Sequence, residues 1–272
     1  MTPGGTSTMY NFNYHRPTSL SDAVKLLAGN SEAKLLAGGQ TMIPTLKQRL
    51  ARPSDVIDLG AIAELRGIKQ DGDALVIGAM TTHHEVASSA LVKSMIPALA
   101  ALADGIGDQQ VRNRGTIGGS ISNNDPAADY PGAVVGLNAT VHTNKRTIAA
   151  DDFFTGMFET ALDEGEIVTA VRFPKPQKAA YAKFPNPASR YAIVGVFVAQ
   201  TGGGVRVAVT GAGPCVWRAT AIEQALAGGM NAAAIDAVSI DPSDLNTDIH
   251  ASAEYRAHLV KVMAKRAVAA AA

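Results

Sequence analysis

Apolar positions spaced by three and four open the legible part of the chain. In "PTSLSDAVKLLAGN" (17–30), Leu20, Val24 and Leu27 share one helical face. Ser19 stands at the cap position, Asp22 follows three residues on, and Gly29 ends the run. The short apolar stretch "AKLLA" then predicts a buried strand, "IPTLKQRL" a helix with Pro44 in its first turn, and "DVIDLG" a second strand. Helix, strand, helix and strand in succession are an α/β unit.

Further on the period shifts. "LRGIKQDGDALVIGAM" predicts a hairpin turning at Asp71 and Gly72, and "SALVKSMIPALAALADGIG" predicts a mostly apolar helix. Residues 107–131, "GDQQVRNRGTIGGSISNNDPAADYP", show no period, and a long irregular stretch inside a compact protein points to function. "EIVTAVRFP" is a strand ended by Pro174. The proline-punctuated "PKPQKAAYAKFPNPASR" marks a boundary near residue 177. "YAIVGVFVAQTGGGVRVAVTGAG" predicts two apolar strands around a glycine turn. "RATAIEQALAGG" and "SAEYRAHLVKVMAKRAV" predict helices, the second with Tyr255, Leu259, Val262 and Met263 near one face. The pattern leaves strand order open.

Composition narrows the function classes. The chain has 272 residues, is 47% hydrophobic, and balances 24 Lys+Arg against 24 Asp+Glu. A neutral chain lacks the basic face that nucleic-acid binding calls for. No apolar run reaches the roughly 20 residues that span a bilayer. The start, "MTPGGTSTMYNFNYHRP", lacks the basic and apolar regions of a secretory signal, so the expected location is cytoplasmic, with residues 1–8 disordered and Met9 a candidate start. A single cysteine, Cys215, excludes an internal disulfide, a thiolate zinc cage and a cysteine-held iron–sulfur cluster within this chain. The adjacent His83 and His84 in "TTHHEVA" point different ways and read as the polar start of a helix rather than a metal chelate.

The candidate chemistry lies in glycine. Pairs or runs occur at Gly4–Gly5, Gly38–Gly39, Gly118–Gly119, Gly202–Gly204 and Gly228–Gly229, and most serve turns. "AGGQT" (37–41) and "TIGGS" (116–120) differ, because each follows an extended stretch and precedes hydroxyl or amide side chains. Glycine permits close backbone approach, and N–H groups in such turns form an anion nest, with Gln40, Thr41, Thr116 and Ser120 as added donors. Two such loops suit the two phosphates of a dinucleotide. Neither is the G-x-G-x-x-G of a Rossmann fold, and no P-loop motif exists, so a plain turn stays an open reading.

"LLAGGQTMIPTLKQRLARPSDVIDLG", "VRNRGTIGGSISNNDPAADYPGAVVGLNATV" and "EIVTAVRFP" resemble the FAD-binding medium subunit of the molybdenum hydroxylases, the carbon-monoxide-dehydrogenase-like and xanthine-dehydrogenase-like family. The likeness runs from about Tyr10 to the last helix. It implies an α+β protein with the FAD-binding fold of vanillyl-alcohol-oxidase-type flavoproteins. Two α/β FAD subdomains would span residues 1–60 and 61–177, and a C-terminal antiparallel-sheet-and-helix domain residues 178–272.

By matching position, the resemblance places the FAD pyrophosphate between two loops. The first comprises Leu36, Ala37, Gly38, Gly39, Gln40, Thr41, Met42 and Ile43; the second comprises Thr116, Ile117, Gly118, Gly119 and Ser120. It adds Ile106, Asp129, Val168 and Lys183, and Tyr191 as the aromatic beside the isoalloxazine. Ser120 replaces the Asn that many relatives carry and lacks its amide N–H groups. Asp129 has a second reading as the cap of a helix near Pro131, and Arg112 and Arg114 face either a phosphate or an acidic partner.

The implied function is an electron-carrying flavoprotein subunit of an oxidoreductase, with no catalytic side chain and no metal of its own. A small subunit with 2Fe–2S centres and a large molybdopterin subunit are the implied partners, in a dimer of heterotrimers. FAD is expected to be held non-covalently, because Cys215 and the histidines lie outside both loops. A stand-alone oxidase of the same fold and a non-redox phosphometabolite-binding protein remain alternatives. The substrate and the electron acceptor are not legible in this chain.

Overall fold

A computed structural model describes residues 9–271. The expectation of disorder over residues 1–8 lies outside the described residues. Strands β1 (Asn13–His15), β2 (Lys34–Leu36) and β3 (Asp55–Asp58) form a parallel sheet ordered β1–β3–β2. Helices α1 (Leu20–Ala28) and α2 (Met42–Lys47) make the crossovers. Ser19 Oγ accepts the Asp22 N–H at the start of α1, as the spacing predicts. Ala23, Ile57, Leu59 and Ile62 close a small core beneath.

The second layer runs from β4 (Ile68–Asp71) and β5 (Ala74–Gly78) through a string of short helices. These are α3 (His83–Ser88), α4 (Ala90–Met95), α5 (Pro97–Asp104), α6 (Gln109–Arg112), α7 (Ile117–Asn123) and α8 (Tyr130–Gly136). Then come β6 (Thr140–Thr143), β7 (Thr147–Ala149), α9 (Ala150–Phe153), the hairpin β8 (Phe154–Gly156) and β9 (Glu159–Thr160), and β10 (Val168–Pro174). The sheet order is β4–β5–β10–β6–β7, with every pairing antiparallel. This layer is a mixed helix-and-antiparallel-sheet unit, and the expected hairpin at Asp71 and Gly72 is β4–β5. Thr82 and Glu85 form a capping box on α3, so the histidine pair does open a helix.

The apolar stretch 89–107 is helical as expected, and it is divided into α4 and α5. Pro97 bars helical backbone at Ile96, whose φ of −140° and ψ of 73° break the run. The stretch 107–131 is not featureless, because α6, α7 and the start of α8 lie in it. Helices α6 and α7 are too short and polar to show a period, and side-chain caps hold them. Asp108 Oδ1 accepts the Val111 N–H at 2.8 Å, and Thr116 Oγ1 accepts the Gly119 N–H at 3.1 Å.

The third layer is an antiparallel sheet of β11 (Lys178–Pro185), β12 (Ala192–Thr201), β13 (Gly204–Thr210) and β14 (Trp217–Arg218), covered by α10 (Thr220–Ala225) and α11 (Ala253–Ala271). Strand β12 is buried on both faces. Val194, Val196 and Val198 enter the core under α11, while Phe197 and Ala199 enter the core of the second layer. Gly132 and Gly136 lie one turn apart on α8 and let it approach that face. A Cβ at Gly136 would sit 2.8 Å from Phe197 Cδ1. Leu259 and Met263 of α11 are buried as expected, but Tyr255 is 44% exposed and meets Phe184 edge to face. Arg256, 3% exposed, donates to the carbonyls of Ile193 and Gly211 and pairs with Asp248. Among the described residues no helix is long and apolar enough to cross a membrane, and no cluster of side chains suits a metal ion.

Candidate functional site

A cleft of about 630 Å³ runs from the first sheet, past both glycine pairs, to the start of β12. Ala37, Gly38, Gly39, Gln40, Thr41 and Met42 line one wall, and Thr116, Gly118, Gly119 and Ser120 line the other. Ile106, Asp129 and Tyr191 line the end nearest the third layer, and Val168 of β10 lines the cleft as well. Four expected residues do not line the cleft. Ile117 is fully buried, and Leu36 and Ile43 pack beneath Gly39. Lys183 stands behind Asp129.

The two glycine pairs are not equivalent. In the first, Gly39 has φ +78°, and the turn leads straight into α2. Among the described residues, none accepts a hydrogen bond from the N–H groups of Gly38, Gly39, Gln40, Thr41 or Met42. Such a run of free donors in a concave wall fits a diphosphate.

The second pair, expected to be a matching nest, is the first turn of α7, and its donors are occupied. Gly118 N–H donates to Ala79 O at 2.8 Å, Gly119 N–H to Thr116 Oγ1, and Ser120 N–H to Thr116 O at 3.0 Å. These glycines serve packing instead. A Cβ at Gly118 would lie 2.7 Å from Ala79 O, and one at Gly119 would lie 3.3 Å from the Ala37 Cβ. The side chains of Ser120, Ser122 and Asn123 complete this wall.

Asp129 does not cap α8. Its carboxylate, 5% exposed, accepts Tyr181 Oη–H at 2.5 Å and Lys183 Nζ–H at 3.0 Å. Burial raises its pKa more than Lys183 and Tyr181 pull it down. Burial beside Asp129 holds the Tyr181 phenol well above its ordinary range. Lys183 Nζ also donates to the carbonyls of Gly105 at 2.8 Å and Arg190 at 3.0 Å. The pair thus ties β11 to the loop after α5 and to the turn that presents Tyr191. Tyr191 is 47% exposed, and burial raises its phenol more moderately.

His83 lies outside both loops in sequence but inside the cleft wall in space, which removes the ground on which histidines were set apart from the site. It is 5% exposed, and a Cβ on Gly115 would strike its Nε2. Burial, with the nearby Arg112 charge, lowers its pKa to about 4. Its Nδ1 has no partner among the described residues. Arg112 turns inward to the carbonyls of Ile106 and Gly107, and Arg114 lies on the surface. His83, Ser122, Asn123 and Asp125 were all missed. The last three carried a signal, since they fall in the aperiodic stretch.

Residues 10–176 match the family described as the FAD binding domain in molybdopterin dehydrogenase, and residues 179–271 match the CO dehydrogenase flavoprotein C-terminal domain. The chain is 37% identical to the carbon monoxide dehydrogenase medium chain of Hydrogenophaga pseudoflava, over 96% of each chain. It is 37% identical to the glyceraldehyde dehydrogenase medium chain of Sulfolobus acidocaldarius, over 94% of this chain and 96% of the relative. Among solved structures, the carbon monoxide dehydrogenase of Hydrogenophaga pseudoflava superposes with TM-score 0.89 at 38% identity, covering 97% of this chain and 98% of that one. Quinoline 2-oxidoreductase from Pseudomonas putida 86 superposes with TM-score 0.87 at 29% identity, covering 97% of each. The free donors of the first turn, the close second wall and these likenesses agree: the chain belongs to the FAD-binding medium-subunit family of the molybdenum hydroxylases, a family of oxidoreductases whose cofactor here is FAD.

Proposed function

We propose that this chain is the electron-transfer flavoprotein of a molybdenum hydroxylase assembly. It would pass electrons from the 2Fe–2S centres of a small subunit to an external acceptor, while a large molybdopterin subunit oxidises the substrate. The observation that carries this is the run of free N–H groups from Gly38 to Met42, facing Gly119 across the cleft. Relatives named as medium chains of carbon monoxide and glyceraldehyde dehydrogenases support the partnership.

When bound, FAD supplies one- and two-electron chemistry, which suits a relay between iron–sulfur centres and a two-electron acceptor. The chain's own residues bind and orient. The Gly38–Met42 amides hold the diphosphate, with Leu36, Ala37 and Ile43 as their support. Ile117 backs the second wall, where the Thr116 and Ser120 hydroxyls and the flat Gly118 and Gly119 backbone set cleft width. Ile106 and Val168 give the cofactor an apolar lining, Tyr191 is the aromatic beside the isoalloxazine, and Lys183 acts through Asp129. Residues 1–60, 61–177 and 178–272 are the three units of this reading. A dimer of heterotrimers in the cytoplasm is its assembly and place.

The test is co-purification with the two partner chains, followed by anaerobic reduction. The assembly is reduced by the substrate of the molybdenum subunit, and the chain alone by dithionite but by no such substrate. A chain that oxidises a substrate unaided and never co-elutes with partners overturns the proposal.

A further inference from the structure

Helix α7 carries the second wall of the cleft, yet little in it favours a helix. It spans seven residues, Ile117–Asn123, and two of them are glycine in the first turn. A helix this short and glycine-rich has no stability of its own, so its position comes from the buried Ile117 and Ile121 and from what grips its ends. The first end is held by the Thr116 cap and by the Gly118 N–H on Ala79 O. The hydrogen bonds at the other end converge on Asn124.

Asn123 and Asp125 both line the cleft, and Asn124 between them turns the opposite way. It is 1% exposed and adopts left-handed backbone, with φ 43° and ψ 50°. Its side-chain Nδ2 donates to Gly156 O at 2.7 Å and to Glu159 O at 2.8 Å, with Cys215 Sγ alongside at 3.5 Å. Its own carbonyl accepts the Phe158 N–H at 3.1 Å, and its N–H donates to Ser120 O at 3.2 Å. One residue therefore joins α7, the β8–β9 hairpin and the loop after β13.

Asparagine suits this place on two counts. It tolerates left-handed backbone better than other residues with a Cβ. Its amide also supplies two N–H donors to two carbonyls. Aspartate keeps the shape but turns acceptors toward acceptors, and glycine keeps the turn but loses the fork.

We propose that Asn124 is a positioning residue for FAD, clamping α7 from behind so that Ser120, Asn123 and Asp125 present a fixed wall to the cofactor. The inference rests on the FAD cleft described above and adds a residue that itself touches none of the cofactor.

The test uses the protein purified with its partner chains, stripped of flavin and titrated with FAD by fluorescence quenching. Visible circular dichroism of the bound flavin is a second readout. Asn124→Asp is expected to weaken FAD binding about tenfold or more, the effect that outer supporting groups have at metal sites. Asn124→Gly is expected to weaken it less but to change the dichroism of bound flavin. Ile235→Ala, in the C-terminal core and outside the cleft lining, is the control: it lowers Tm without either change. Asn124→Asp that binds FAD as tightly as wild type, or no more weakly than a control of equal Tm loss, overturns the proposal. If Asn124→Asp does not fold, Asn124→Gly with wild-type affinity and dichroism overturns it equally. A wild-type protein that takes up no FAD refutes the cleft reading instead, and shows itself before any variant is made.

Discussion

Gly119 and Ala37 meet across the cleft so closely that a Cβ on Gly119 would lie 3.3 Å from that of Ala37 and 3.0 Å from Thr116 Oγ1. At this point the walls approach so closely that neither has room for a larger side chain at position 119. Glycine substitutions should therefore grade by what they strike. Gly118→Ala drives a methyl into the Ala79 backbone, and Gly38→Ala into the Arg114 carbonyl, with Gly115 Cα at 2.8 Å. Each should cost about 1–3 kcal/mol or more in stability and lose FAD. Gly119→Ala should fold and bind weakly, and Gly119→Val should fold and not bind. Tm and flavin content of each purified variant check the order.

The Asp129–Lys183 pair is buried, at 5% and 11% side-chain exposure. Removing one partner strands the other charge, so Lys183→Met alone or Asp129→Asn alone should destabilise by about 3–5 kcal/mol. The double variant should recover much of that loss. Urea unfolding of all four forms measures the coupling, and strict additivity would show that the pair is not coupled.

His83 predicts an acid-side loss of stability. Its folded pKa is near 4 and its ordinary value 6.5, so between these the unfolded chain binds the extra proton. Stability is then complete above about pH 6.5 and falls by about 3 kcal/mol as pH drops toward 4. Asp129 opposes this. Its raised pKa adds stability at low pH that is lost as pH rises above its ordinary value. The two separate in His83→Gln, whose stability between pH 4 and 6.5 should be flatter than that of wild type. Equal slopes would show that His83 does not carry the effect.

Denaturation should release all the yellow colour. Cys215 Sγ lies against Asn124 and outside the cleft lining, and His83, although in the cleft wall, is only 5% exposed, so neither is presented for a covalent link. Flavin retained on acid-precipitated protein would contradict this.

Elements with a long period were legible in the sequence, and elements held by caps were not. The apolar run "AIVGVFVA" of β12 and the Ser19 cap of α1 announce themselves because burial and capping leave residue-level marks. Helix α7 left none that periodicity detects, since its residues are Ile, Gly, Gly, Ser, Ile, Ser and Asn. In the site, paired glycines were visible, but their separate duties were not. The N–H groups of Gly38 and Gly39 are free and those of Gly118 and Gly119 are occupied, a difference set by Ala79 and Thr116 in space. His83 was hidden for the same reason, because Gly115, which it abuts, is distant in the chain.

Strand β12 has a consequence for anyone who would divide this protein. The two family matches part between residues 176 and 179, which invites a cut there. Phe197 and Ala199, however, belong to the core on the far side of that cut. An expressed N-terminal fragment would bare the face of α8 that Phe197 covers, and the C-terminal fragment would present Phe197 to water. The seam is a joint in the genetic text but not in the machine, and the halves should be recovered only when made together.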